Sequence, residues 1–237
     1  MRLTNRNVLK KLSAVSFVLV TALITAIPAL ARCSDDPMPG VDWHDCRKRN
    51  LILTKDNLER ANLSGVDFSS TDLHGVNLSF ANLTKSQLTR SRLKSVSAPH
   101  AIFVKVIGGR TDFSNANLEK ADFNRAELSR SDFTDANLSF VDFNRSDLGR
   151  SDFSGATLVA SDFSFANLAR ADLRTAKFNG KVNVKGAFFF NTRLEGVDLT
   201  KFTGLEQWQV DMLCGNDDTK LRGELKRPDN WTCIDED

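Results

Sequence analysis

The chain has 237 residues, 41% hydrophobic and 26% charged, with 32 Lys+Arg against 30 Asp+Glu. A formal net charge of +2 excludes an overall field that would steer the protein to nucleic acid or to a basic partner.

The N-terminus reads as an export signal. Arg2, Arg6, Lys10 and Lys11 form a basic start, residues 12–27 are apolar and uncharged, and Ala29 and Ala31 supply an A-x-A cleavage pattern. The apolar run is about sixteen residues, short of the ~20 that a spanning helix needs. The expectation is therefore a cleaved leader over residues 1–31, with cleavage after Ala31, rather than a membrane anchor, and a periplasmic or secreted protein. Arg32 stands where a lipoprotein signal wants a small residue before Cys33. Cleavage removes four of the 32 basic residues and no acidic one, which leaves 28 against 30 and a mature net charge of −2.

Residues 32–50 are polar and turn-rich, punctuated by Pro37, Pro39 and Gly40, and read as an N-terminal cap. From residue 51 to 203 one rhythm dominates. An apolar residue recurs every fifth position: Leu53, Leu58, Leu63, Phe68, Leu73, Leu78, Leu83, Leu88 and Leu93. The rhythm falters across residues 95–109, at Ala98 and Gly108, then runs from Phe113 through Phe178. After Phe188 it slips by one residue to Leu194 and Leu199. The faltering segment, with Pro99 and Gly108–Gly109, reads as a locally distorted coil, and Phe188, Phe189 and Phe190 as apolar filling around the slip.

A helix repeats its apolar face every 3.6 residues and a strand every two, so neither keeps a five-residue line over this distance. A chain that turns a corner every quintet does. Such fixed short periods mark solenoids, in which each unit buries its apolar face against its neighbours. On a four-sided coil of twenty residues, the alternation of Phe and Leu stacks Phe113, Phe133 and Phe153 on one wall and Phe123, Phe143 and Phe163 on the opposite wall. The line of Ala61, Ala81, Ala121 and their equivalents, replaced in places by Ser131, Ser146, Ser151 and Ser161, is small enough to share the interior with them.

The quintets A-[DN]-[LF]-x-x, as in ADFNR, ANLSF and ADLRT, resemble the pentapeptide-repeat proteins over about 150 residues. The resemblance implies an all-β solenoid, a right-handed quadrilateral β-helix with four quintets per coil. It also implies that the Leu/Phe position and the small residue two before it point inward. At ~4.8 Å per coil, some seven coils would make a rod on the order of 35 Å. The family includes DNA mimics that act on type II topoisomerases. A near-neutral, exported chain fits that role poorly.

Residues 204–237 read as the C-terminal cap. Thr203 and Glu206 have capping-box spacing and would open a short helix with Leu205, Trp208 and Met212 on one face. Four cysteines, Cys33, Cys46, Cys214 and Cys233, flank the repeat in pairs. In an exported chain they read as disulfides. Three pairings are open from the sequence; a long solenoid holds its ends apart, which selects Cys33–Cys46 and Cys214–Cys233, with Trp231 packed inside the second lobe.

Candidate chemistry is sparse. Ladders of Asp112, Asp132, Asp152 and Asp172, and of Asp122, Asp142 and Asp162, read as the ordinary solvated second residue of the quintet. Arg90, Arg110, Arg130, Arg150 and Arg170 recur every twenty residues and would line one column, with Lys85, Lys105, Arg125 and Arg145 on the next. Glu127 and Asp147 lie on the same face and are expected to pair with the arginines. Phe80, Phe140 and Phe165 occupy outward positions and mark a possible partner surface. His44, His74 and His100 stand in unrelated contexts, and no catalytic motif, metal set or cofactor signature appears. The reading is a non-enzymatic scaffold without cofactor that binds an unidentified protein, with a homodimer possible. The alternative is an anionic glycan or other anionic polymer held on the Arg and Lys columns; nucleic acid is not expected.

Overall fold

The structure, a computed structural model, describes residues 33–231 and Cys233. The expected leader and its cleavage point lie outside the described residues. From residue 41 the backbone turns a corner every fifth residue, and each coil pairs in parallel with the next, twenty residues on: Asp42 with Asn62, Asp122 with Asp142, Asp152 with Asp172. The result is the right-handed quadrilateral β-helix that the repeat implies.

One quintet, Ala121 to Arg125, shows why the pattern closes. The Ala121 N–H donates back to the Leu118 carbonyl across the corner. Asp122 N donates to Ala101 O in the coil below, and Phe123 N and Arg125 N donate to Asp142 O and Asn144 O in the coil above. The remaining N–H, of Asn124, donates 2.8 Å to the Asp122 carboxylate. All five donors of the quintet therefore have partners, as buried backbone requires. The second residue is Asp or Asn because its short side chain reaches the N–H two residues on. Asn82, Asp112, Asp132, Asn137, Asp152 and Asp162 repeat the same bond. The fifth residue lies in the left-handed region; Arg110, Lys120, Arg130 and Phe140 have φ of 58–61°. This conformation is ordinarily costly for a side chain with a Cβ, and here the ladder imposes it at nearly every corner.

Positions one and three face the bore and are buried at every quintet from Ala61 to Leu173. The phenylalanines form two continuous stacks, Phe113–Phe133–Phe153 at 5.2 and 5.1 Å and Phe103–Phe123–Phe143–Phe163 at 4.5, 5.2 and 5.1 Å. Across the bore the two stacks meet edge to face, at 5.7 Å for Phe113–Phe123. Stacked and edge-on aromatic pairs add ~0.5–1.5 kcal/mol each beyond area burial. Where serine or threonine replaces alanine at position one, the hydroxyl in most cases donates to a backbone carbonyl, as Ser151 to Leu128 O and Ser161 to Leu138 O, whereas the buried Ser86 hydroxyl has no partner.

Several expectations change. Residues 95–109 are not distorted: Ser97, Ile102 and Ile107 pair with Asn117, Asp122 and Glu127 in unbroken register. Pro99 stands at position four, whose N–H the ladder does not use, so its missing donor costs nothing. Gly108 leaves space that Leu128 of the next coil fills; a Cβ on Gly108 would come 2.8 Å from Leu128 Cδ2.

The register slip occurs earlier than expected. Asp162 pairs with Asn183, one residue beyond the usual spacing, and β2 (Lys177–Phe178) still pairs in register with β1 (Thr157–Leu158). The extra residue therefore falls between Phe178 and β3 (Val182–Asn183), where Gly180 takes a φ of 98°. Phe189, not Phe188, then points inward and is buried.

The ladder also begins before residue 51. Asp42 and Arg47 already pair with the next coil, and Trp43 fills a bore position under the Lys48 ammonium, 3.7 Å from the ring centroid. Burial draws the Lys48 pKa below the usual lysine value despite Asp35 and Asp36 nearby.

At the other end, β4 (Phe202–Thr203) pairs with β3, so Thr203 belongs to the ladder and does not cap a helix. The helix is one turn, α1 (Gln207–Val210), with a capping box formed by Glu206 and Gln209. Gln209, buried, donates to Val184 O and Ala187 O, both at 2.9 Å, and so plugs the last coil, while Trp208 is half exposed. The cysteines pair as Cys33–Cys46 and Cys214–Cys233, with Cα separations of 5.5 and 5.0 Å. Trp231 is buried over Gly215, where any Cβ would sit 2.5 Å from its ring.

Phe133→Ala should lower unfolding stability by ~3–5 kcal/mol, and Phe133→Leu by no more than ~1.5 kcal/mol. Urea denaturation followed by far-UV circular dichroism reads both, and a near-neutral Phe133→Ala would contradict a filled bore.

Candidate functional site

With the bore and ladder accounted for, the side chains free to act are those at the corners and on the outer faces. Corner residues twenty apart stack into columns, so their chemistry accumulates along the rod.

One column runs Arg60, Phe80, His100, Lys120, Phe140. Phe80 stacks on His100 at 4.9 Å with rings nearly parallel, Arg60 lies 5.1 Å over Phe80, and the Lys120 ammonium lies 5.9 Å from Phe140. Phe80 and Phe140 are 47% and 51% exposed. Cation–aromatic pairs of this exposed kind stabilise by ~0.5–1 kcal/mol, and with Arg60 on one side and His100 on the other, Phe80 exposes its ring edge rather than its faces. Phe165 differs. It stands on another corner, beneath Arg145 at 5.8 Å, and its ring packs on Gly186, where a Cβ would meet it at 2.8 Å. The structure thus brings Phe80 and Phe140 onto one column and leaves Phe165 apart.

The diagonally opposite corner carries Arg90, Arg110, Arg130, Arg150 and Arg170. The first four are exposed, and among the described residues their guanidinium groups form no ion pair. The expected pairing with Glu127 and Asp147 is therefore absent. Asp147 instead accepts from the Gly149 N–H at 3.1 Å and from Asn167 Nδ2 at 3.0 Å. A second-position side chain serves its own turn and the adjacent coil, so it is held away from the corner. Rungs at ~4.8 Å lie well within the ~8 Å screening length of physiological salt, so the arginines act as one field. Beside them, small residues at position four leave two shallow depressions. One, of about 320 Å³, is lined by Thr89, Gly109 and Ser129 with Arg90, Arg110 and Arg130. The other, of about 390 Å³, continues past Gly149 and Ala169 to Phe190. Phe188 and Phe190, 44% and 40% exposed, stack at 6.3 Å on this same face. The sequence reading missed this pair because it took Phe188, Phe189 and Phe190 together as apolar filling around the slip; the signal was Gly180, the flexible residue at the insertion.

The acid ladders have a structural duty, since each Asp caps the N–H two residues on. Asp122, Asp142 and Asp162 nevertheless stack as like charges. Burial raises the Asp142 carboxyl above the usual aspartate range, and the Asp122 and Asp162 carboxylates add to this against the hydrogen bond from Asn144. Asp172 goes the other way: burial opposes its ionisation, but the hydrogen bonds and charge of Arg174 outweigh it. No group of three or more His, Cys, Asp or Glu that could hold a metal occurs among the described residues. Each histidine has a local partner: His44 bonds Asp42 at 2.8 Å, His74 Nδ1 lies 2.9 Å from Lys94 O, and His100 stacks on Phe80.

The family model for pentapeptide repeats matches eight copies, over residues 57–104, 111–150 and 142–180. No curated protein matches the chain. Two trypsin-treated variants of QnrB1, a plasmid-mediated fluoroquinolone resistance protein, superpose with TM-scores of 0.50. The first is 18% identical over 71% of this chain and 86% of its own. The second is 16% identical over 77% and 88%. HetL, a pentapeptide repeat protein involved in heterocyst differentiation regulation in the cyanobacterium Nostoc, is 21% identical over 77% and 92%, with a TM-score of 0.40. At these identities the likeness to QnrB1 concerns the fold.

Asp142→Asn keeps the cap and removes one stacked charge. A folded-state pKa above the unfolded value means that Asp142 loses stability as pH rises from the unfolded through the folded pKa. The variant should therefore be more stable than the parent at neutral pH, by on the order of 0.5 kcal/mol. The gain should vanish once the carboxyl is protonated, near pH 3. Thermal melts at both pH values check this, and a gain that persists in acid would contradict the like-charge account.

Proposed function

The chain belongs to the pentapeptide-repeat family, and we propose that it is an exported, non-enzymatic scaffold that presents a rigid corner to a protein partner. The observation that carries this reading is the column of Arg60, Phe80, His100, Lys120 and Phe140. Its two phenylalanines expose about half their surface, fill no bore position and complete no hydrogen bond. Aromatic and arginine side chains are the residues from which protein interfaces draw most of their binding energy. A rod also holds them at fixed spacing, so little ordering entropy is lost on association.

Export is supported from two sides. Two disulfides staple the ends of the described chain, as suits an oxidising compartment. The basic, apolar and A-x-A order of residues 1–31 is that of a cleaved leader. No described helix is long and apolar enough to cross a membrane. The non-enzymatic reading rests on the distribution of reactive groups: Asp, Ser and Arg repeat along the whole rod, and each histidine is engaged locally, so none converge on a reacting atom.

Cell fractionation should place the protein outside the cytoplasm. Affinity capture from envelope extracts should recover a partner that Phe80→Ser with Phe140→Ser reduces by roughly tenfold or more. Cytoplasmic location would overturn export, and capture insensitive to both substitutions would overturn this corner as the interface.

A further inference from the structure

We propose that the face between the Arg90–Arg170 corner and the Ile107–Phe188 column is a binding groove for a linear anionic glycan. This is a second site, diagonally across the rod from the aromatic corner and independent of it.

The groove has a floor, a charged wall and an end. Thr89, Gly109, Ser129, Gly149 and Ala169 form the floor at position four of five successive coils, and none is larger than threonine. Added bulk there would close the two depressions of about 320 and 390 Å³. Arg90, Arg110, Arg130 and Arg150 line one side, exposed and without an ion pair among the described residues. On the other side stand two carboxylates, the exposed Glu127 and Asp147, the second turned into hydrogen bonds with Gly149 and Asn167, which leaves the four arginines in excess. Phe190 closes the groove at its C-terminal end with Phe188 stacked beside it, both partly exposed. The extra residue near Gly180 puts them there by turning Phe189 inward.

These features select the ligand. Guanidinium groups are matched to carboxylate and sulfate by paired donors. The wall offers one such group per coil, at ~4.8 Å. A polysaccharide of acidic pyranose rings carries at least one charge per ring, and a ring length falls close to one coil, so charges that recur on one face every second or third ring stay in step with the rungs. An extended acidic peptide places same-face carboxylates every two residues, at ~6.6 Å, and drifts out of step within a few rungs. A single nucleic-acid strand wants a stacking ring beneath successive bases, whereas this floor is small residues with aromatics only at one end. The Phe188–Phe190 pair suits the apolar face of a terminal sugar ring.

The test uses the purified protein and four probes at two salt concentrations: a galacturonic acid hexamer, a heparin hexasaccharide, uncharged maltohexaose, and oligothymidine of matched charge. Titration calorimetry should show salt-sensitive binding of at least one acidic hexamer, none of maltohexaose, and oligothymidine binding weaker by roughly tenfold. Arg130→Asn with Arg150→Asn, chosen because asparagine tolerates the left-handed corner, should weaken the bound acidic glycan by roughly tenfold. Phe190→Ser should weaken it severalfold and leave oligothymidine unchanged. Circular dichroism verifies that the variants fold. The proposal is overturned if neither acidic hexamer binds, if oligothymidine binds as tightly, or if the folded arginine variant retains full glycan affinity.

Discussion

Every feature of this molecule depends on one constraint: a coil must satisfy its backbone on the coils above and below while sending one large side chain per quintet into a narrow bore. Five N–H groups recur per quintet, and in Ala121 to Arg125 they go to the preceding corner, the coil below, the coil above twice, and an Asp side chain. That arrangement dictates the composition. The second residue must be a short acceptor, the first must be small, the third must fill, and the fifth must accept a positive φ. Most quintets obey all four rules, Ile102 and Ile107 at the second position and Gly108 at the third being among the exceptions, and such a sequence has little freedom left except in the outward side chains.

Function is therefore a matter of columns. On a globular surface, neighbouring side chains come from unrelated segments. Here, the same corner returns every twenty residues, so a preference at one position becomes a stripe. Arginine on one corner and phenylalanine with cations on the diagonal corner are two such stripes, and the aspartates are a third that the backbone claims for itself. Asp142 shows the cost, since stacking capping carboxylates at strand spacing makes neighbours of like charge. The single-residue insertion near Gly180 shows the opposite case. It shifts the phase of all later residues, moving Phe188 from a bore position and Phe190 from a corner onto the arginine face, which becomes a groove with an end.

The fold was largely legible, because period, alternation and small residues are direct images of the constraint. Phe113 to Phe163 could be assigned to opposite walls from spacing alone, and the cysteine pairing followed from the length of the rod. Illegible features arose where one residue type can satisfy a position for an unexpected reason. Pro99 and Gly108 resemble a break, yet position four needs no ladder N–H and Leu128 fills the glycine's gap. Thr203 and Glu206 have the spacing of a capping box, but the ladder pairing of Thr203 takes precedence and Glu206 pairs with Gln209 instead. The arginine column was visible; its freedom from Glu127 and Asp147 was not, because spacing cannot show which way a carboxylate bends.

Residue-resolved native-state hydrogen exchange tests the central constraint most directly. The account predicts a five-residue pattern of protection through residues 61–173, with second, third and fifth positions slowest, fourth positions fastest, and residues 95–109 as protected as the coils around them. A fast-exchanging window over residues 95–109, or protection without the five-residue period, would contradict it.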